Sequence, residues 1–170
     1  IENMLSEREN GFKIAMNALN IGRIKLAVAC IDAERRIINA ATNYSNERVQ
    51  FNKKISEFGA VSQKLAMMAT DLYAGESATY RAAKDIEDRI SILESEGKNH
   101  QEAELKGVEE YVIECSMLKV ALSDDAQNIA DEAIQIYGGM GYSTETPIES
   151  AWRDSRIARI YEGTNEINRL

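Results

Sequence analysis

The 170 residues contain one proline, one histidine and two cysteines, and only 6% of them are aromatic. Each scarcity excludes a class. Helical bundles often hold metals through Glu-x-x-His pairs, but His100 has no glutamate three residues before it and no Cys-x-x-Cys accompanies it, so no metal site is expected. His100 reads as a solvated residue of a polar turn. Without a second histidine or a Gly-x-Ser-x-Gly elbow, nucleophilic hydrolysis has no machinery. Cys30 and Cys115 fall among apolar residues of separate helical patterns and read as free buried thiols in a reducing compartment. No unbroken run of about eighteen apolar residues and no charged-then-apolar leader is present, so neither a membrane span nor a secretory signal is expected. A net charge of -8 with no basic stripe argues against nucleic acid. The expected location is intracellular.

What remains is rich in Ala, Ile, Glu, Lys and Arg, good helix formers, with no clusters of strand formers. The expectation is an all-α fold: a four-helix up-and-down bundle forming one domain over residues 1–170. A first helix spans residues 11 to about 48, with Ile24, Ala27, Val28, Ile31, Ile38 and Ala41 on its apolar face. Gly22 predicts a break near its start, leaving residues 12–19 as a separate turn or kinked segment. Residues 46–56 lose the pattern and read as a loop. A second helix carries Phe58, Val61, Leu65, Met68, Leu72, Thr79, Ala83, Ile86, Ile90 and Leu93, with Glu76 breaking the stripe. After a turn at residues 94–101, a third helix runs from Leu105 to Ile136 and stops at Gly138-Gly139. Thr146, Pro147 and Glu149 predict the capped start of a shorter fourth helix running through Trp152 and Ile157 toward Glu162.

Three segments stand above background. Glu162 lies between the apolar pair Ile160-Tyr161 and Gly163, where lost hydration raises a carboxylate's pKa and glycine admits a close ligand, as a general base requires. The bland alternative is a helix C-cap. Arg48-Val49-Gln50-Phe51 pairs a guanidinium with an aromatic ring on one loop, usable for a phosphate beside a planar ring, or a merely solvated loop. Gln135-Ile136-Tyr137-Gly138-Gly139 ends a helix where backbone could approach a ligand, or is a plain glycine cap.

In this order and spacing the three, with Arg153-Asp154-Ser155-Arg156-Ile157 between them, resemble the C-terminal helical domain of the acyl-CoA dehydrogenases, over nearly the whole chain from Gly11 to Leu170. The resemblance implies an FAD enzyme that oxidises a fatty acyl-CoA to the trans-2-enoyl-CoA. It makes Glu162 the base that removes the α-proton and gives its backbone N–H to the thioester oxygen. Tyr161 and Gly163 would line the acyl channel. Thr164, Asn165 and Glu166 would lie beside the same subunit's FAD, while Arg48, Phe51, Gln135, Ile136, Tyr137, Gly138 and Gly139 would touch a neighbour's, which implies a homotetramer or homodimer. Asn20-Ile21-Gly22-Arg23 matches the segment that holds the acyl-CoA, with Arg23 foremost, and its Asn-x-Gly-Arg form is similar to the very-long-chain branch. Some relatives carry the base at the position of Gly22, and glycine there leaves Glu162 as the base. The implied electron acceptor is electron-transfer flavoprotein, and the implied location cytoplasmic in a bacterium or the mitochondrial matrix in a eukaryote. Beginning at Ile1, the chain reads as a piece of a larger protein, without the family's N-terminal helical and middle β-domains, and is expected to be inactive alone. An acyl-CoA oxidase shares the fold, and a non-catalytic oligomerisation subunit is the other alternative.

Overall fold

Helix-favouring residues with a three-and-four apolar spacing produce two helices of 37 residues, α1 (Gly11–Glu47) and α2 (Gly59–Ser95), each about 55 Å long at ~1.5 Å per residue. They are followed by α3 (His100–Glu110), α4 (Val112–Tyr137), α5 (Pro147–Ser155) and α6 (Asn165–Asn168). The computed structural model describes residues 9–170; the part of the single-domain expectation that concerns residues 1–8 lies outside them. The all-α class holds. α1 packs chiefly along α4, with α2 closing the other side.

One core cluster joins Leu26, Ala27 and Ile31 of α1 to Ala82 of α2 and Leu118, Leu122 and Ala126 of α4. A second gathers Ile37, Ala41, Met68, Ile129, Ala133 and Ile136 with Ile148 of α5. The fully buried alanines let the helix axes approach closely, and the two thiols are free and buried as the sequence suggests.

Several local expectations change. α1 runs unbroken through Gly22, because one glycine costs only about 1 kcal/mol and the buried face Asn17, Asn20, Arg23, Leu26 carries straight past it. By length and composition α1 is also apolar enough to cross a membrane, which a search for an uninterrupted apolar run misses. Its buried Asn20, Arg23 and Glu34 mark it instead as the core helix of a bundle. The core position on α2 is Ala82 rather than Ala83, and Gly75 rather than Glu76 faces inward, freeing Glu76 to pair with Arg35 at 2.6 Å. The third helix is interrupted at Tyr111 (φ -109°), giving α3 and α4. His100 opens α3 instead of lying in the turn, with Asn99 as the N-cap and Glu94 and Glu104 around the ring; the hydrogen bond to Glu94 raises its pKa. Pro147 starts α5 as expected, but Thr146 gives its hydroxyl to the Met140 and Ser143 carbonyls rather than capping the helix.

Residues 46–56 are not a plain loop. Val49–Gln50 (β1) pairs antiparallel with Lys53–Lys54 (β2) around a two-residue turn whose central residues, Phe51 (φ 53°) and Asn52 (φ 64°), are both left-handed. That is a type I′ hairpin without glycine, and it presents Phe51 86% exposed.

Candidate active site

After α5 the chain passes through a 3-10 turn (Arg156–Arg159) and then leaves helix altogether, so Glu162 is not part of a helix C-cap. Glu162 (φ 58°) and Gly163 (φ 82°) are consecutive left-handed residues. For glutamate that conformation costs ~1–2 kcal/mol, and the surroundings hold it there. Arg23 Nε donates to the Glu162 carbonyl at 3.4 Å, and Asn168 Nδ2 reaches the carbonyls of Glu162, Gly163 and Thr164 at 3.3, 2.9 and 3.0 Å. Lys119 Nζ donates to the Gly163 carbonyl at 2.7 Å. Thr164 then caps α6 by accepting from the Ile167 N–H.

This turn folds the Glu162 side chain onto α1. A Cβ placed on Gly22 would lie 2.6 and 2.8 Å from the two carboxylate oxygens and 2.7 Å from Cδ, so the missing side chain of Gly22 is the seat of the carboxylate. Two residues that are 140 positions apart in sequence thus form one feature. Ile160 and Tyr161 are 47% and 45% exposed, so the apolar flanks expected around Glu162 do not enclose it within this chain. Tyr161 lines a groove of about 380 Å³ that continues along Leu26, Ala29 and Ala33 of α1 against Ala158. Burial pushes the Tyr161 phenol up, with Cys30 and Glu162 adding to the effect.

Arg23 and Asn20 are turned inward. Arg23, 7% exposed as a residue, donates through its guanidinium to Asn20 Oδ1 and Ser116 Oγ, each at 3.1 Å, besides the Glu162 carbonyl. In this conformation it props the glutamate's backbone. Ile21 is half-buried beside them. Asn165, expected beside the cofactor, is 2% exposed; its amide bonds Lys119, Ser123 and Asp124. Thr164 is half-buried and Glu166 exposed. Asp124 anchors the loop further through Arg159 (2.5 Å) and Arg169 (2.6 Å).

Sequence reasoning missed Ser116, Lys119, Ser123, Asp124 and Asn168. A signal existed for two of them. Lys119 and Ser123 interrupt the inward stripe Cys115, Leu118, Leu122, Ala126 at helical spacing, and a lysine on a core stripe demands an explanation.

The remaining expected residues gather at the far end of the bundle. Tyr44 and Tyr137 stack at 4.0 Å; Tyr44 donates to the Tyr137 carbonyl and Tyr137 to the Ala40 carbonyl, tying the C-terminal ends of α1 and α4 together. A groove of about 300 Å³ therefore carries Phe51 beside Gln135 and Ile136. The Ile136 side chain is core, leaving its backbone for any ligand. Gly138 needs its φ of 61°, whereas Gly139 adopts no such angle, and a Cβ on either would meet nothing. Arg48 is exposed at the root of the hairpin.

The bundle thus seats one carboxylate on a glycine notch at one end and presents an aromatic hairpin beside a glycine pair at the other. The model of the acyl-CoA dehydrogenase C-terminal domain matches residues 9–170, and the chain belongs to that family. A probable acyl-CoA dehydrogenase of Bacillus subtilis is 47% identical over 99% of this chain and 28% of its own length. The human mitochondrial very long-chain specific acyl-CoA dehydrogenase is 38% identical over 99% of this chain and 23% of its length. The crystal structure of an acyl-CoA dehydrogenase complexed with FAD from Bacillus anthracis superposes with a TM-score of 0.94 at 45% identity, covering 99% of this chain and 29% of that one. The chain thus spans less than a third of these relatives.

Gly22→Ala in the full-length protein separates stability from geometry. Alanine is the better helix former by ~1 kcal/mol and the obstructing atoms are the mobile end of one side chain, so thermal stability is expected to hold or rise slightly. The displaced carboxylate should lower turnover by about tenfold or more. Steady-state assays beside thermal melts check this; unchanged turnover would show that Gly22 is not the seat.

Proposed function

We propose that this chain is the C-terminal domain of an FAD-dependent acyl-CoA dehydrogenase in which Glu162 is the base. The Glu162 carboxylate seated on Gly22 is the observation that carries the reading. A thioester's α-proton is weakly acidic, so it yields only to a positioned carboxylate while the developing enolate charge meets hydrogen-bond donors. As the α C–H bond breaks, Glu162 gains the proton. Its backbone N–H serves the thioester oxygen, and Tyr161 and Gly163 line the acyl chain. The chemistry that a bound FAD would supply is acceptance of the β-hydride. In the full-length protein other parts cover Ile160 and Tyr161, which are exposed in these 170 residues, and keep water from Glu162; the isolated domain is inactive.

About 26 residues separate Gly22 from Arg48, ~39 Å at helical rise, which no single dinucleotide bridges. This separation supports two cofactors per chain. Thr164 and Glu166 would help to hold the subunit's own FAD. Arg48, the Phe51 ring and the open backbone at Gly138 and Gly139 suit the pyrophosphate and a planar ring of a neighbour's, so the active protein is a homo-oligomer, a dimer or tetramer.

Full-length protein mixed with fatty acyl-CoA should lose its oxidised flavin absorbance and release the trans-2-enoyl-CoA, with fast reoxidation by electron-transfer flavoprotein and slow reoxidation by oxygen. Fast reoxidation by oxygen alone would make it an oxidase. An unchanged flavin spectrum would reject the reading.

A further inference from the structure

Lys119 is fully buried, yet among the described residues its ammonium pairs with no carboxylate. Its hydrogen bonds go to neutral acceptors, the Gly163 carbonyl at 2.7 Å and Asn165 Oδ1 at 2.6 Å. Asp124 and Glu166 act on it only at longer range. An ammonium withdrawn from water without a counter-charge is destabilising, and an apolar side chain of similar length would suit the surrounding core better. Nor is it required to satisfy its acceptors. The Gly163 carbonyl also receives Asn168 Nδ2 at 2.9 Å, and Asn165 Oδ1 also lies 3.2 Å from the Ser123 hydroxyl.

What Lys119 alone does is tie the Gly163 carbonyl to the N-terminal third of α4. That carbonyl belongs to the second of two left-handed residues, and their backbone angles set the direction in which Glu162 leaves the loop. Arg23 holds the preceding carbonyl from α1. Two buried cations on two helices therefore grip successive peptide groups of one turn. We propose that Lys119 is a positioning residue for the base, kept at the expense of stability because it fixes the Gly163 peptide and thereby aims the Glu162 carboxylate at the Gly22 notch. The inference rests on Glu162 being the base.

A lysine that only stabilises the fold loses stability and activity together when replaced; a positioning lysine in a core loses activity while stability holds or rises. The test uses the full-length holoenzyme with Lys119→Met, Lys119→Gln and Glu162→Gln, reading thermal midpoint, FAD content, steady-state kinetics and exchange of substrate α-protons in heavy water. For Lys119→Met the midpoint and FAD content should equal or exceed wild type, while kcat and α-proton exchange fall about 10- to 100-fold, the scale of a misplaced reacting group, with KM nearly unchanged. Lys119→Gln, which keeps a donor but falls short in reach, should lie between. Rates like wild type, a joint fall of midpoint and rate, or failure of both variants to fold would overturn the proposal. Glu162→Gln tells the two failures apart. If it turns over, the base assignment is wrong; if it is inert while Lys119→Met is fully active, only the role of Lys119 is.

Discussion

Glu162→Gln in the full-length protein is expected to retain FAD and bind acyl-CoA, and to lose about 10³-fold or more in turnover, as removal of an essential base does. Glutamine has the same shape, so it should rest on Gly22 and leave the carbonyl contacts from Arg23, Lys119 and Asn168 in place. What it removes is a basic oxygen able to take the α-proton. Steady-state assays with flavin content measured on the same sample check this, and loss of FAD along with rate would point to damage rather than chemistry. Nothing else in the described residues stands ready to replace it. The opposing position on α1 is a glycine, and Arg23 beside it is buried and already donates to the Glu162 carbonyl.

Glu34→Gln is expected to have the largest effect on stability, and to raise it. Glu34 is fully buried on α1, and neither carboxylate oxygen has a hydrogen-bond partner. Burial, reinforced by Asp125 of α4 and Asp71 of α2, pushes its pKa up to about 8; burial likewise lifts Asp125 to about 6, with Asp71 and Asp124 adding to it. The Cys30 thiol, pushed up by burial with Glu34 and Asp125 adding to it and Lys119 opposing, belongs to the same layer. The folded pKa values exceed the unfolded ones, so stability is full below the unfolded values near 4, declines as pH rises, and for Glu34 is lost through about pH 8. Each tenfold change in proton affinity between the folded and unfolded chain is worth ~1.4 kcal/mol, which puts the penalty on the order of several kcal/mol at neutral pH and above. Glutamine cannot ionise. Melts of wild type and variant should nearly coincide at pH 5 and diverge by several degrees above pH 8, with the variant higher. A pH-independent difference, or a less stable variant at high pH, would contradict the buried-acid account.

Motif order makes the candidate segments legible in the sequence. Glu162 with its glycine, the Arg48 segment and the double glycine are contiguous stretches, so the proposed roles can be read from neighbouring residue types. Two kinds of feature stay hidden there. One depends on backbone angles that the residue types disguise: the hairpin turns on Phe51 and Asn52 with no glycine, and Gly22, which looks like a helix breaker, proves to be a notch inside a continuous helix. The other is long-range. Arg23 reads as a cation for a ligand, and only its burial against Asn20 and Ser116 shows that it supports the turn carrying Glu162. Lys119 and Asn168 are likewise defined by what the tertiary fold brings to them. Most of the apolar seam reads correctly because helical spacing is local, but Val28, Ala83 and Leu105, expected on it, are exposed; the break at Tyr111 does not show, since the apolar stripe continues across it.

Rapid mixing of full-length wild type and Glu162→Gln with excess acyl-CoA, following flavin absorbance in a single turnover, tests the base on its Gly22 seat most directly. Wild type should bleach within the mixing experiment while the variant binds the substrate and keeps its oxidised spectrum. Bleaching of the variant at the wild-type rate would contradict the assignment of Glu162.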